Sequence, residues 1–197
     1  MEVTVPKIDA PTVAEHHSRR RAALIDAGLS VIAEQGVQGL TLGAVGSATG
    51  LARSSVYQYF PSTAALIAAV VEGAFPPANE RLAAAVRRAS EPRAQVDAYV
   101  RAAIELAGDR THRSLHALAA TDLPTECRAR LAELHQQQYA PLRAAVVGLG
   151  VDDPELTTRL VAGVIRAAAQ AVMDGTPPAR VKRESLALLH QGLQGMA

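Results

Sequence analysis

Apolar residues recur along this chain at helical spacing, with few alternating β-branched runs. Leu24, Ala27, Gly28, Val31 and Ile32 line one side of a 3.6-residue period, predicting a first helix from about Ala14 to Gln35, which Gly36 ends as a left-handed cap. Thr41 is a good N-cap for a short second helix, Leu42 to Ala48. Gly50 supplies the positive φ of a tight turn, and a third short helix follows from Ala52 to about Tyr59. Gly43 and Gly46 lower the second helix's own propensity, so packing must hold it. Gly46 would also let the third helix cross closely.

Downstream, Pro61-Ser62 opens a fourth helix with Leu66, Ile67, Val70 and Val71 on its buried side. Pro76-Pro77 must break or kink it, because a proline ring removes a donor and crowds the preceding turn. Further helices are predicted at about 77–89, 92–107 and 111–120, then a longer one at about 124–149 bent at Pro141. Asp153-Pro154 places an N-cap before a proline at the first helical position, starting a helix that ends at Gly175. Thr176-Pro177 repeats the device for a last helix to about Gln194. Residues 1–13, with Pro6 and Pro11, read as a mobile arm. The expected fold is all-α, with about nine to ten helices.

Composition narrows the class. Hydrophobic residues make up 49% and charged residues 20%, which suits a packed globular chain rather than a disordered one. Cys127 is the sole cysteine, so no intrachain disulfide forms and no oxidising compartment is implied. The opening segment has no basic stretch leading into an apolar one. The longest apolar run, Ala64 to Val71, is far short of a membrane span. A soluble cytoplasmic protein is expected.

Charge position matters more than the net charge of +1. Residues 1–66 hold five Lys/Arg and five Asp/Glu, netting zero. Yet Arg19, Arg20 and Arg21 cluster in the first helix, and no carboxylate occurs from Gln35 to Val71, a stretch with Arg53 in its middle. A surface without negative charge approaches phosphates without repulsion.

Two short helices around a glycine turn, behind a longer supporting helix, form the DNA-reading helix-turn-helix arrangement, here at roughly residues 41–60. Val45, Leu51, Val56, Phe60 and Leu66 have spacings that close a small core. Arg53, Ser54, Ser55 and Gln58 fall on the outward side of the third helix. Arginine pairs bidentately with guanine and glutamine with adenine, making Arg53 and Gln58 the candidate base readers. Thr41, Ser55, Tyr57 and Tyr59 carry hydroxyls suited to phosphate contacts, which set register rather than sequence.

The segment GVQGLTLGAVGSATGLARSSVYQYFPSTAAL, residues 36–66, resembles the DNA-binding domain of the tetracycline-repressor (TetR) family, over about residues 20–66 in all. The resemblance rests on Thr41, Val45, Gly50, Val56-Tyr57, Phe60, Ser62 and Leu66 in order. It implies a two-domain homodimer that binds double-stranded operator DNA: residues 1–66 read DNA, and residues 67–197 bind an effector and dimerise. It further implies a repressor released when a small molecule, bound between the central helices, shifts the fourth helix and changes the separation of the two reading heads. Thr41, Tyr57 and Tyr59 fall where family members grip the DNA backbone. Thr63 stands where the family usually has lysine, a departure that removes a phosphate contact.

Beyond that domain the signals are sparser. Tyr99, His112, His116 and Tyr139 are scarce polar or aromatic groups in Ala/Leu-rich helices, and are the candidate effector-pocket residues. His112 and His116, four apart, could instead share a metal with Cys127 or His135, and Cys127 could act as a redox switch. A metal- or redox-responsive regulator and a ligand-independent DNA binder are therefore the rival readings. No nucleophile elbow, zinc-protease motif, phosphate loop or paired carboxylates give an enzyme reading residues to stand on, and no cofactor is implied. For dimerisation the candidates are Leu156, Leu160, Val164, Ala168 and Val172 in one helix, with Val181, Leu188, Leu189 and Leu193 in the next. The same stripes could equally cover the protomer's own core.

The Thr63 departure has a measurable consequence. Thr63→Lys should tighten DNA binding and steepen the salt dependence of log K by roughly one unit, as one added phosphate contact would. Titrations at several salt concentrations check this, and an unchanged slope would place residue 63 away from the backbone.

Overall fold

The computed structural model describes residues 13–109, 112–113 and 125–194. Among these are ten α-helices and no strand. They are α1 (Val13–Gln35), α2 (Leu42–Thr49), α3 (Arg53–Val56), α4 (Thr63–Gly73) and α5 (Phe75–Arg87), followed by α6 (Pro92–Gly108), α7 (Thr125–Gln138), α8 (Ala140–Gly148), α9 (Pro154–Met173) and α10 (Pro178–Gln194). The expected arm lies outside the described residues over positions 1–12, and so does all but His112 and Arg113 of the expected helix at 111–120. No helix of the described residues is long and apolar enough to cross a membrane.

Local sequence explains most boundaries. Gly36 takes φ 75° after α1, and Gly50 takes φ 70° after α2. The hydroxyls of Thr41 and Ser62 accept from the amides of Ala44 (3.0 Å) and Ala65 (3.1 Å), and Asp153 Oδ1 accepts from Leu156 N at 2.9 Å. Each satisfies an orphan donor in a first helical turn. Pro76 and Pro77 follow Phe75 in the first turn of α5, where their missing donors are not needed, so the break falls at Ala74, two residues before Pro76.

Three expectations are corrected. The third helix stops at Val56 rather than running to Tyr59. Beyond it, Gln58 N and Tyr59 N bond back three residues, to Ser55 O (3.2 Å) and Val56 O (3.0 Å), tightening the turn so that Phe60 enters the core ahead of Pro61. The long helix expected at 124–149 is divided into α7 and α8 at Tyr139, two residues before Pro141. The last helix starts at Pro178 rather than Pro177.

Two buried clusters organise the packing. One gathers α1 to α4 around Leu24, Ile32, Val45, Val56, Phe60 and Leu66, and extends to Phe75 and to Leu131 and Leu134 of α7. The other joins α5, α6, α8, α9 and α10 through Leu82, Tyr99, Ile104, Leu142, Ile165 and Leu189. Within the first, α3 rests directly on Gly46. A Cβ there would lie 2.7 Å from the Leu51 carbonyl oxygen and 3.2 Å from Val56 Cγ2, whereas one on Gly43 would meet only Thr41 Oγ1, at 3.9 Å.

This contrast predicts opposite effects within one helix. Gly46→Ala forces backbone apart at a cost of about 1–3 kcal/mol, which exceeds the roughly 1 kcal/mol that alanine returns in helix propensity. Gly43→Ala gains the propensity without the clash. Denaturant unfolding should show the first variant less stable and the second equally or more stable than the parent.

Candidate nucleic-acid interface and central cavity

The short α3 owes its placement to the residues on its inner side. Val56 and Phe60 are fully buried with Val45, so the remaining positions of the 53–59 segment must face outward. Arg53, Ser54, Tyr57 and Gln58 are exposed, while Ser55 and Tyr59 are half-buried. Arg53 Nη2 donates to the Tyr57 hydroxyl at 3.2 Å, and its guanidinium lies 5.7 Å from that ring's centre. The pair thus holds a planar donor fork on the outer face.

The other proposed contacts flank this face. Thr41 is exposed; its oxygen is occupied by the cap, which leaves the hydroxyl hydrogen free to donate. Thr63 is exposed at the first position of α4. Tyr59 stacks on His17 of α1 with ring centres 4.6 Å apart, which covers one face of its ring. Arg21, one turn after His17, lies 5.4 Å over the Phe60 ring. These two contacts fasten the basic part of α1 beside α3. The sequence reading did not foresee them, although the four-residue spacing of His17 and Arg21 was available to signal them.

A cavity of about 350 Å³ lies among α5, α6, α7 and α9. It brings together three of the four proposed pocket residues, Tyr99, His112 and Tyr139. The fourth, His116, lies outside the described residues. Tyr99 is buried, and its hydroxyl donates to the Gln138 carbonyl at 3.0 Å, where the break before Pro141 leaves a helix-end acceptor. Burial first, and the neighbouring Tyr139 second, hold the Tyr99 phenol well above its ordinary range, so it remains a neutral donor. Sequence reasoning missed His135 (as a pocket residue), Gln138, Arg166 and Gln170 in the lining. Their spacings of three and four on α7 and α9 carried the signal.

For a metal, no group of three or more His, Cys, Asp or Glu side chains converges among the described residues. The Cys127 side chain lies outside them. His135 Nδ1–H donates to the Leu131 carbonyl at 2.8 Å, and the ring meets Phe75 edge-on at 4.9 Å.

The proposed dimer stripes are divided by the structure. Leu156, Leu160 and Leu188 are exposed and Val164 is half-buried, but Ala168, Val172, Val181 and Leu189 belong to the protomer's own core. Steps of four over-rotate a 3.6-residue helix by about 40° each. The stripe that starts outward at Leu156 has therefore turned inward by Ala168. The Leu193 side chain lies outside the described residues.

Residues 24–70 match the model of the bacterial regulatory proteins, tetR family. The chain is 32% identical over 82 residues to the HTH-type transcriptional regulator BetI of Rhizobium meliloti (strain 1021), an alignment covering 42% of this chain and 40% of that relative's length. Its fold is similar to a TetR-family transcriptional regulator from Pectobacterium atrosepticum, with TM-score 0.70 and 22% identity over 94% of this chain and 97% of that one. It is also similar to the transcriptional regulator FadR from Bacillus subtilis in complex with stearoyl-CoA, with TM-score 0.68 and 19% identity over 85% and 96% of the two chains.

The outward fork of Arg53 yields a test of its role. On a selected operator, Arg53→Ala should cost on the order of 1–3 kcal/mol while nonspecific binding changes far less. Equal losses on both DNAs would assign Arg53 to phosphate contact instead.

Proposed function

A tetR-family regulatory segment occupies residues 24–70 of a chain whose whole fold is that of solved TetR-family regulators, and on this premise we propose that the protein is a homodimeric transcriptional repressor released from its operator by a small molecule. The observation that carries this reading is the outward face of α3. With the turn after it, that face presents Arg53, Ser54, Tyr57 and Gln58 within a stretch, Gln35 to Val71, that holds no carboxylate. In this reading residues 1–66 form the DNA-binding domain and residues 67–197 the effector and dimer domain. Arg53 and Gln58 read bases, while Thr41, Ser54, Ser55, Tyr57, Tyr59 and Thr63 stand along the DNA backbone.

Effector control would run through α7. Its Leu131 and Leu134 are buried with the N-terminal helices, and Arg130 Nε pairs with Glu72 of α4 at 3.3 Å. At its far end, His135 and Gln138 line the cavity. An occupant that displaces the C-terminal turn of α7 therefore moves a helix already packed on the DNA-reading unit. A ligand biases such an equilibrium only through its differential affinity for the two arrangements. Tyr99, His112 and Tyr139 form part of the cavity wall that would contact the effector.

The second head comes from a second copy, since one four-residue reading helix offers a small footprint. Two related heads 34–36 Å apart would meet successive major grooves. The exposed Leu156, Leu160 and Leu188, with half-buried Val164, form the apolar face for that pairing.

Binding-site selection on random duplexes, followed by a compound screen for release, tests the function. Failure to enrich any duplex would reject it. The assembly is tested separately: Leu160→Glu should give a folded monomer in sedimentation with much weakened operator binding, whereas Leu189→Glu should unfold the chain by burying a carboxylate in the core. A wild type that sediments as a monomer at micromolar concentration would reject the dimer.

A further inference from the structure

The donors lining the central cavity are unequally committed. Tyr99 spends its hydroxyl on the Gln138 carbonyl, His135 its Nδ1–H on Leu131 O, and Gln170 its amide nitrogen on Asp174 Oδ1 at 2.8 Å. Arg166 of α9 makes no ion pair or hydrogen bond with a described residue. Arg81, Arg87, Arg130, Arg143 and Arg183, by contrast, each face a carboxylate. Among the described lining residues its guanidinium is the only formal charge, and no Asp or Glu accompanies it.

The position of Arg166 is as informative as its freedom. It lines the cavity and also an outer groove of about 750 Å³, and Tyr139 lines both as well. Arg166, exposed on α9, is thus shared by the two hollows, with its Nη2 3.8 Å from where a Cβ on Gly163 would stand. The groove carries Arg159 and the Arg143–Glu155 pair, at 3.1 Å, so it adds no unpaired negative charge. Inside, Leu82, Leu106, Ile165 and Met173 supply apolar wall. A volume near 350 Å³ is at the small end for ligand sites.

We propose that this cavity takes a small amphipathic monocarboxylate, whose single ring or medium-length chain packs on the apolar wall and whose carboxylate pairs bidentately with Arg166. One guanidinium balances one negative charge, and its planar fork matches a carboxylate's two oxygens. A dianion would keep a charge uncompensated, and a cation would meet Arg166 with no carboxylate among the described lining residues to offset it. The assignment rests on the cavity being the effector site.

Calorimetry on the full chain with matched pairs, 4-phenylbutyrate against 4-phenylbutyramide and octanoate against octanamide, tests this directly. Each carboxylate should bind about tenfold or more tightly than its amide. Arg166→Gln should bring the carboxylate down to the amide's affinity and leave the amide within about twofold, while Arg166→Lys, keeping the charge but losing the fork, falls between. Amides that bind as well as their acids, a preference that survives Arg166→Gln, or no binding by any of the four would overturn the proposal. Operator release is measured separately on the same samples. Arg166-dependent carboxylate binding without release keeps the ligand class and rejects effector control; release by a neutral or cationic occupant of the cavity rejects the ligand class and keeps effector control.

Discussion

Burial of Leu131 and Leu134 against the N-terminal helices holds α7 in a packing unit to which it does not belong by sequence order. Interiors pack at the density of organic crystals, so a helix wedged in one cluster cannot move without displacing its neighbours. The same helix ends at Gln138, whose carbonyl is held by the buried Tyr99 of the other cluster. One helix thus touches both the core beneath α3 and the wall of the cavity.

The polar contacts around α7 are of lesser weight. Arg130 pairs with Glu72 and Glu133, but all three side chains are substantially exposed, and such pairs contribute about 0–1 kcal/mol. Apolar burial fixes the helix, and the ion pair biases its register. A similar division holds at α3, where Val56 and Phe60 set the position and the Arg53–Tyr57 contact only arranges the outward donors. Positioning by the core and chemistry by the rim are separate tasks in this fold, so an outward residue such as Gln58, in the turn after α3, can vary without disturbing that helix.

How legible each part was follows from the range of the interactions behind it. Caps and turns are local: Thr41, Ser62, Asp153, Gly36 and Gly50 act within a few residues, and each does what its type dictates. The helix-turn-helix was legible for the same reason, since its small core closes within about forty residues. The length of α3 was not, because Phe60 must be buried ahead of Pro61, and that demand shortens the helix against its propensity. The candidate dimer stripe was half-legible. Its periodicity is real, but steps of four wind around the helix, and periodicity alone cannot say whether a neighbour in the same chain already covers the inner half.

By itself the sequence determined the all-helical class, the positions of most helix ends and the helix-turn-helix segment, because these follow from local propensity, capping and a short-range core. Tertiary structure alone decided that Tyr99, His112 and Tyr139 share one cavity with Arg166, that His17 and Arg21 pack on Tyr59 and Phe60 just beyond α3, and that α7 joins two cores. Those facts depend on how helices far apart in the chain cross and pack, and side-chain spacing within a single helix carries no record of which distant surface it will meet.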